Sequence, residues 1–363
     1  MNSATSLRER IGSLSEQALE RLIYVVGSAR GGTTLTKNVI GLHDNVISFS
    51  GPTHFLNHPW RHRKRVEDRL WRVIFWLPDS VRRTKVRDSL DEDRKEAYIQ
   101  YINHVLNEKN FRDLYRLYPF VRGIDPEESR DPATICAWLD KGNDFWGVDL
   151  LPRHFPQARF VFVVRDPRGS VASLAKRIAD ARPNTELQIE ARDVIDGAIY
   201  WRNLAQAELR FARRYPSQTV FLRYEDLVSS PLTIIPQLYE CLGLAQISED
   251  ALRSRLADIH YGASLDSRDL GTGLKTQPLE RWRKILSDEA VDLVDAICGG
   301  TAERFGYDVI QKEGPSIRQI AALMNRPLDK LIVIAKLAYL GAREVELGKM
   351  RTSLPSFRLL SAT

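Results

Sequence analysis

Apolar residues fall in short unbroken runs separated by polar, helix-favouring stretches. Residues 22–27, LIYVVG, and 159–164, RFVFVV, are runs of the kind parallel strands make when both faces are buried. The first run enters a Gly/Thr-rich turn and then a helix predicted over residues 33–42. A short strand is predicted at 46–49, followed by a polar, His-containing turn at 50–58 and a charged, helix-favouring insertion over about 57–137. The second run stops at Arg165, where Asp166 suits an N-cap and Pro167 the first position of a helix reaching Arg177. An amphipathic helix at 189–214, a strand at 219–223 and a turn at Tyr224-Glu225-Asp226 come next. This alternation predicts an α/β fold, a mainly parallel, twisted sheet flanked by helices and carrying a helical insertion. A loop at 262–277 leads to helices at 278–286 and 288–304. The apolar stretch 320–340 is broken by Arg326, Pro327, Asp329, Lys330 and Lys336, so it reads as a pair of amphipathic helices. The expected division is one domain over 1–310 and an amphipathic helical extension over 311–363.

Composition narrows the classes. The chain has 363 residues, 43% of them hydrophobic and 28% charged, which suits a globular protein and excludes collagenous or disordered classes. Cys136, Cys241 and Cys298 are odd in number and form no CxxC pair, so neither a disulfide framework nor a zinc site is expected. The beginning MNSATSLRER has no apolar signal core, and a cytoplasmic location is expected. The net charge of +6 is local: residues 61–87 hold ten Lys or Arg against three acids, net +7, which leaves −1 for the rest. No helix-turn-helix, zinc or RNA-binding signature accompanies the patch, so a nucleic-acid partner is not expected.

A Gly-rich turn between a buried strand and a helix surrounds an anion with backbone N–H groups and the helix N-terminus. Here that turn is Gly27-Ser-Ala-Arg30-Gly31-Gly32-Thr33-Thr34-Leu35. Against the pattern GxxxxGK[ST], Gly27 and Gly32 occupy the glycine positions but Thr33 stands where lysine reaches the β and γ phosphates. An ATPase would lack its main countercharge, whereas Arg30 could pair bidentately with a phosphate or sulfate oxygen. Arg165 and Ser173, eight residues apart across a strand end and a helix start, could converge on one phosphate at the crevice side of a parallel sheet. A third strand end, Arg223-Tyr224-Glu225-Asp226-Leu227, offers an aromatic that could stack on a base.

These three motifs, in this order over residues 23–244, resemble the sulfotransferases that use 3′-phosphoadenosine 5′-phosphosulfate (PAPS). The Arg-type loop is similar to that of tyrosylprotein and many bacterial members. The resemblance implies a P-loop-like fold and sulfuryl transfer to a hydroxyl or amine. It implies that Arg30, Gly31, Gly32, Thr33, Thr34 and Leu35 bind the 5′-phosphosulfate, that Arg165 and Ser173 bind the 3′-phosphate, and that Tyr224 touches the adenine. Asp140-Lys141, ahead of Phe155-Pro156-Gln157-Ala158-Arg159-Phe160, matches the context of the family's sulfuryl-binding lysine, although Lys141 reads equally as a solvated surface lysine. Arg268 or Lys275, ahead of Trp282, matches the family's basic loop over the 3′-phosphate; both also read as ordinary loop residues.

Sulfuryl transfer requires an in-line acceptor, cations on the nonbridging and leaving oxygens, and a base. No metal is expected, and no HxH, HxxxH or carboxylate cluster suggests one. The Arg-loop relatives place a glutamate after the second strand, but here Pro52 stands at that position and no acid occurs between Asp44 and Glu67. His54 is the nearest candidate base, with an ordinary pKa near 6.5 suited to neutral pH, His58 is the reserve, and His43 reads as a helix C-terminal residue. The insertion interleaves Trp60, Trp71 and Trp76 with the basic block. That pattern suits a solvated helix face, an anionic, glycan or lipid acceptor, or peripheral contact with acidic lipid. Two rivals remain open: a nucleotide-dependent kinase with a modified phosphate loop, and a non-catalytic, membrane-associated protein that binds PAPS.

Overall fold

A computed structural model of the chain describes residues 16–48, 132–142, 148–180, 189–259, 273–274, 279–308 and 358–360. Its strands are β1 (Leu22–Gly27), β2 (Val46–Ser48), β3 (Ala137–Gly142), β4 (Arg159–Val164), β5 (Thr219–Arg223) and β6 (Arg358–Leu360). They hydrogen-bond in the order β2-β3-β1-β4-β5-β6, and β1–β3, β2–β3 and β5–β6 are parallel. The helices are α1 (Glu16–Glu20), α2 (Thr33–Gly41), α3 (Leu151–His154), α4 (Pro167–Asp180), α5 (Ala191–Arg214), α6 (Tyr224–Ser229), α7 (Pro231–Leu242), α8 (Glu249–Ala257) and α9 (Asp288–Ala302). The expected α/β class and mainly parallel sheet are therefore present. Most of the insertion at 57–137 and of the extension at 311–363 lies outside the described residues. The chain groups into two compact units, Met1–Val26 with Thr33–Val161 and Ile235–Gly273, and Gly27–Gly32 with Phe162–Ile234 and Leu274–Thr363.

In the first unit β3 runs beside β1 with Leu22 opposite Trp138 and Val25 opposite Lys141. Every residue of β3 is buried, although its sequence, AWLDKG, carries an acid and a base. That composition hid the strand, because periodicity registers apolar runs and within β3 that run stops after Ala137, Trp138 and Leu139. Trp138 donates its indole N–H to Leu19 O at 2.9 Å and meets Phe155 edge-on at 5.8 Å. Tyr239 of α7 donates to Val39 O of α2 at 3.1 Å. Arg21 closes the C-terminus of α7 through hydrogen bonds to Leu242 O and Gly243 O, where Gly243 takes the left-handed conformation (φ 66°) common after helices.

In the second unit Phe162 of β4 packs on Phe211 of α5 and Phe221 of β5, with ring centres 5.4 and 5.3 Å away. Phe305 closes on Phe221 at 5.3 Å. Asp166 caps α4 as expected, its Oδ1 accepting the Arg168 N–H at 2.8 Å, with Pro167 in the first helical position. Residues 224–229 form a helix and not the expected turn: Arg223 is extended, and Glu225 and Asp226 lie in the first turn, where a helix N-terminus favours acids. Only residues 281–284 of the expected 278–286 helix are helical among those described, as a 3-10 turn. β6 pairs Arg358 to Leu360 with Val220 to Leu222, a strand too short to be legible by periodicity.

Candidate active site

In the second unit, the loop after β1 is built from strained and sterically committed positions. Arg30 sits at φ 69°, a left-handed conformation that costs a side-chain-bearing residue roughly 1–2 kcal/mol. Gly32 is at φ 98°, and a Cβ there would lie 2.2 Å from Tyr224 Cδ2. Gly31 donates to Ser28 O at 2.8 Å, which closes the turn. The Ala29 N–H donates to the Tyr200 hydroxyl at 3.2 Å. Ser28 Oγ is buried and has no hydrogen-bond partner among the described residues.

The motifs expected to bind one cofactor meet around that turn. Arg30 Nε donates to Ser173 Oγ at 2.9 Å, and Arg165 Nη1 donates to Arg30 O at 3.0 Å. The Arg165 guanidinium lies 4.7 Å from the centre of the Tyr224 ring, a cation–π arrangement, and Tyr224 is buried. Arg30, Gly32, Arg165, Ser173 and Tyr224 thus form one connected cluster of two guanidiniums, a hydroxyl and an aromatic face. Such donors can clamp phosphate oxygens and stack a base.

In the first unit α2 opens at Thr33, and its first N–H groups have no intrahelical carbonyl to bond. Thr33 is buried, and Leu35 is in the hydrophobic core, so only the backbone N–H of Leu35 suits an anion. Lys141 Nζ donates to Thr34 Oγ1 at 2.7 Å, and the Lys141 N–H donates to Asp140 Oδ1 at 2.7 Å. Lys141 is 5% exposed, which removes the reading as a surface lysine. Burial lowers its pKa to about 8, the charge of Lys37 pushes the same way and Asp140 opposes. Lys37, also 5% exposed, is lowered to about 8 by burial, again against Asp140. Two buried ammonium groups beside one buried carboxylate suit an incoming anion.

Lys37 and Asp140 were not singled out from the sequence. Lys37 follows Thr33 by four residues, which puts it on the helical face of the loop threonines, and that spacing was available as a signal. Nothing in the sequence marked Asp140 beyond its pairing with Lys141. His54, His58, Arg268 and Lys275 lie outside the described residues, as do the insertion's tryptophans and basic block. His43 is a buried structural residue: its Nε2 faces Ala245 O at 3.0 Å, its Nδ1 accepts the Asn45 N–H, and burial lowers its pKa.

Residues 23–249 match the model of the Sulfotransferase family. The chain is 25% identical over 235 residues to Carbohydrate sulfotransferase 5 of Mus musculus, a match covering 60% of this chain but only 51% of that protein. It is 23% identical over 299 residues to a putative protein-tyrosine sulfotransferase of Caenorhabditis briggsae, covering 80% of this chain and 90% of that one. Among solved structures, the sulfotransferase domain from the Synechococcus PCC 7002 olefin synthase superposes with a TM-score of 0.51 at 18% identity, over 79% of this chain and 95% of that domain. That likeness is one of fold.

Proposed function

The chain belongs to the sulfotransferase family, and from that premise we propose that it transfers a sulfuryl group from PAPS to a hydroxyl or amine. The observation that carries the reading is the joining of Arg30, Ser173, Arg165 and Tyr224 by two hydrogen bonds and a cation–π contact. The buried Ser28 Oγ in the same turn, unpartnered among the described residues, fits an additional donor to a phosphate oxygen.

Arg165 and Ser173 hold the 3′-phosphate, and the face of Tyr224 receives the adenine. Arg30 and the N–H groups of Gly32 to Leu35 hold the 5′-phosphosulfate, with Gly31 closing the turn on Ser28 O and Thr34 oriented by Lys141. PAPS supplies a sulfur already bonded to a good leaving group: the acceptor oxygen or nitrogen forms the new bond to sulfur as the bond to the 5′-phosphate oxygen breaks. Arg30 balances the charge that grows on the departing phosphate, and Lys141 that on the nonbridging sulfuryl oxygens. His54 takes the acceptor proton. Lys275 belongs to the same reading as a cation for the 3′-phosphate. This scheme requires no metal.

A carbohydrate hydroxyl is the first acceptor to screen, and a tyrosyl peptide the second, in keeping with the names of the two relatives. A cytoplasmic location with peripheral contact through the basic 61–87 block completes the reading; salt-sensitive cosedimentation with anionic vesicles tests that contact. The experiment for the activity is transfer of labelled sulfate from PAPS to a panel of saccharides, tyrosyl peptides and alkyl alcohols. Label in an acceptor, dependent on Arg30, is expected; transfer of phosphate from Mg-ATP instead would favour the kinase reading.

A further inference from the structure

Arg165 follows the last residue of β4 and precedes the Asp166 cap of α4, at a strand end where a backbone can fray. Here three buried or partly buried side chains, from separate places in the second unit, grip its backbone at consecutive groups. The hydroxyl of Tyr307 donates to Val164 O at 3.0 Å. The indole N–H of Trp201, in α5, donates to the carbonyl of Arg165 itself at 3.0 Å. The carboxylate of Glu225, in α6, accepts the Asp166 N–H on Oε1 at 3.0 Å. Two of the three are also tied together: Tyr307 Oη lies 2.6 Å from Glu225 Oε2, and its one proton is shared between that oxygen and Val164 O. Trp201 and Tyr307 are buried, at 2% and 5% exposure, so water does not readily replace them. The Arg223 guanidinium lies over the Tyr307 ring, 4.5 Å from its centre.

None of these three side chains belongs to the cluster that would touch a ligand. They act on the two peptide groups that flank Arg165, the first at its carbonyl and the second at both its carbonyl and its N–H, and so set the direction in which its guanidinium leaves the strand. That direction is visible in its contacts with the Arg30 carbonyl and the Tyr224 ring. A guanidinium that must meet a phosphate bidentately tolerates little angular error.

We infer that Tyr307, Trp201 and Glu225 are positioning residues: a clamp on residues 164–166 that aims Arg165 and thereby sets the preference for a nucleotide carrying a 3′-phosphate. The inference rests on the cofactor reading above. It assigns a role to the glutamate of the Arg223-Tyr224-Glu225-Asp226 segment and to a tyrosine 142 residues beyond Arg165.

The test is calorimetric titration of the full chain with adenosine 3′,5′-bisphosphate and with AMP, which lacks the 3′-phosphate. Tyr307→Phe keeps the ring beneath Arg223 and removes only the hydroxyl; Trp201→Phe removes the indole donor together with part of a buried ring. Each is expected to lower bisphosphate affinity about fivefold to tenfold while leaving AMP affinity unchanged. Glu225→Ala removes the acceptor of the Asp166 N–H and is expected to lower bisphosphate affinity likewise while sparing AMP; an unchanged preference in it removes Glu225 from the clamp. In an Arg165→Ala background, Tyr307→Phe is expected to change nothing further, because the residue through which it acts is gone. A merely structural lesion would lower both affinities together. A wild-type preference for the bisphosphate that Tyr307→Phe and Trp201→Phe both leave intact overturns the inference alone. An undiminished effect of Tyr307→Phe on the preference without Arg165 also overturns it. Equal binding of AMP and bisphosphate by the wild type overturns both the inference and the cofactor reading.

Discussion

Gly32→Ala isolates the steric logic of the loop. A Cβ at this position would lie 2.2 Å from Tyr224 Cδ2 and 2.7 Å from Cε2, whereas an ordinary contact needs more than 3.4 Å. The overlap is with a ring, not with the tip of a flexible chain, and Tyr224 is 4% exposed, so the ring has little room to retreat. Overpacking of this kind costs about 1–3 kcal/mol, and φ 98° adds roughly 1–2 kcal/mol for a residue with a side chain. The total of about 2–5 kcal/mol, at roughly 2–4 °C per kcal/mol, lowers Tm by at least about 4 °C. Relief by moving the ring would pull it from beneath the Arg165 guanidinium, so affinity for adenosine 3′,5′-bisphosphate should fall by about tenfold or more. Differential scanning fluorimetry and calorimetry read the two effects. Gly300→Ala is the control: nothing lies within 4 Å of its Cβ position, and in a helix the change should be neutral or stabilising by up to about 1 kcal/mol. In a Tyr224→Ala background the steric part of the Gly32→Ala cost should vanish and only the left-handed part remain. A Gly32→Ala protein with unchanged Tm and unchanged bisphosphate affinity would refute the reasoning.

Other perturbations address separate parts of the molecule. Lys141→Met should lower turnover about a hundredfold or more while bisphosphate affinity stays nearly unchanged, because the lost cation serves the sulfuryl oxygens in the transition state; equal losses in both would count against that role. His54→Ala should lower turnover at neutral pH about a hundredfold or more, and near-normal turnover would remove His54 as the base. Glu208, on α5, is buried with Oε1 unpartnered among the described residues, and burial pushes its pKa well above 4.5. The folded state therefore holds the proton more tightly than the unfolded chain, so the stability this supplies is complete below about pH 4.5 and fades as pH rises toward the raised value. Glu208→Gln should gain stability relative to wild type as pH rises above about 4.5, measured by thermal melts; a pH-independent difference would exclude that titration.

What was legible in the sequence follows from which signals are local. β1 and β4 announced themselves as short apolar runs, and Asp166-Pro167 marked the start of α4, because strand burial and helix capping act over a few neighbouring residues. The grouping of Arg30, Arg165, Ser173 and Tyr224 was legible only as three separate strand-end motifs whose convergence a parallel sheet implies. β3 was not legible, since Asp140 and Lys141 gain their places by burial against each other's charge and not by apolar pattern. Nor was the grip on Arg165: Trp201 and Tyr307 look like ordinary core aromatics, and only the fold brings their polar atoms to the backbone at 164–166. Tyr224-Glu225-Asp226 read as a turn because one and a half helical turns leave too short a trace for periodicity.

The most direct test of the central claim is calorimetric titration of the wild-type chain and Arg165→Ala with adenosine 3′,5′-bisphosphate, AMP and Mg-ATP. Tight binding of the bisphosphate in preference to the other two, weakened by Arg165→Ala, is the expected result. Preference for Mg-ATP, or no binding of the bisphosphate, would contradict the assignment of the Arg30, Arg165, Ser173 and Tyr224 cluster to a sulfuryl donor.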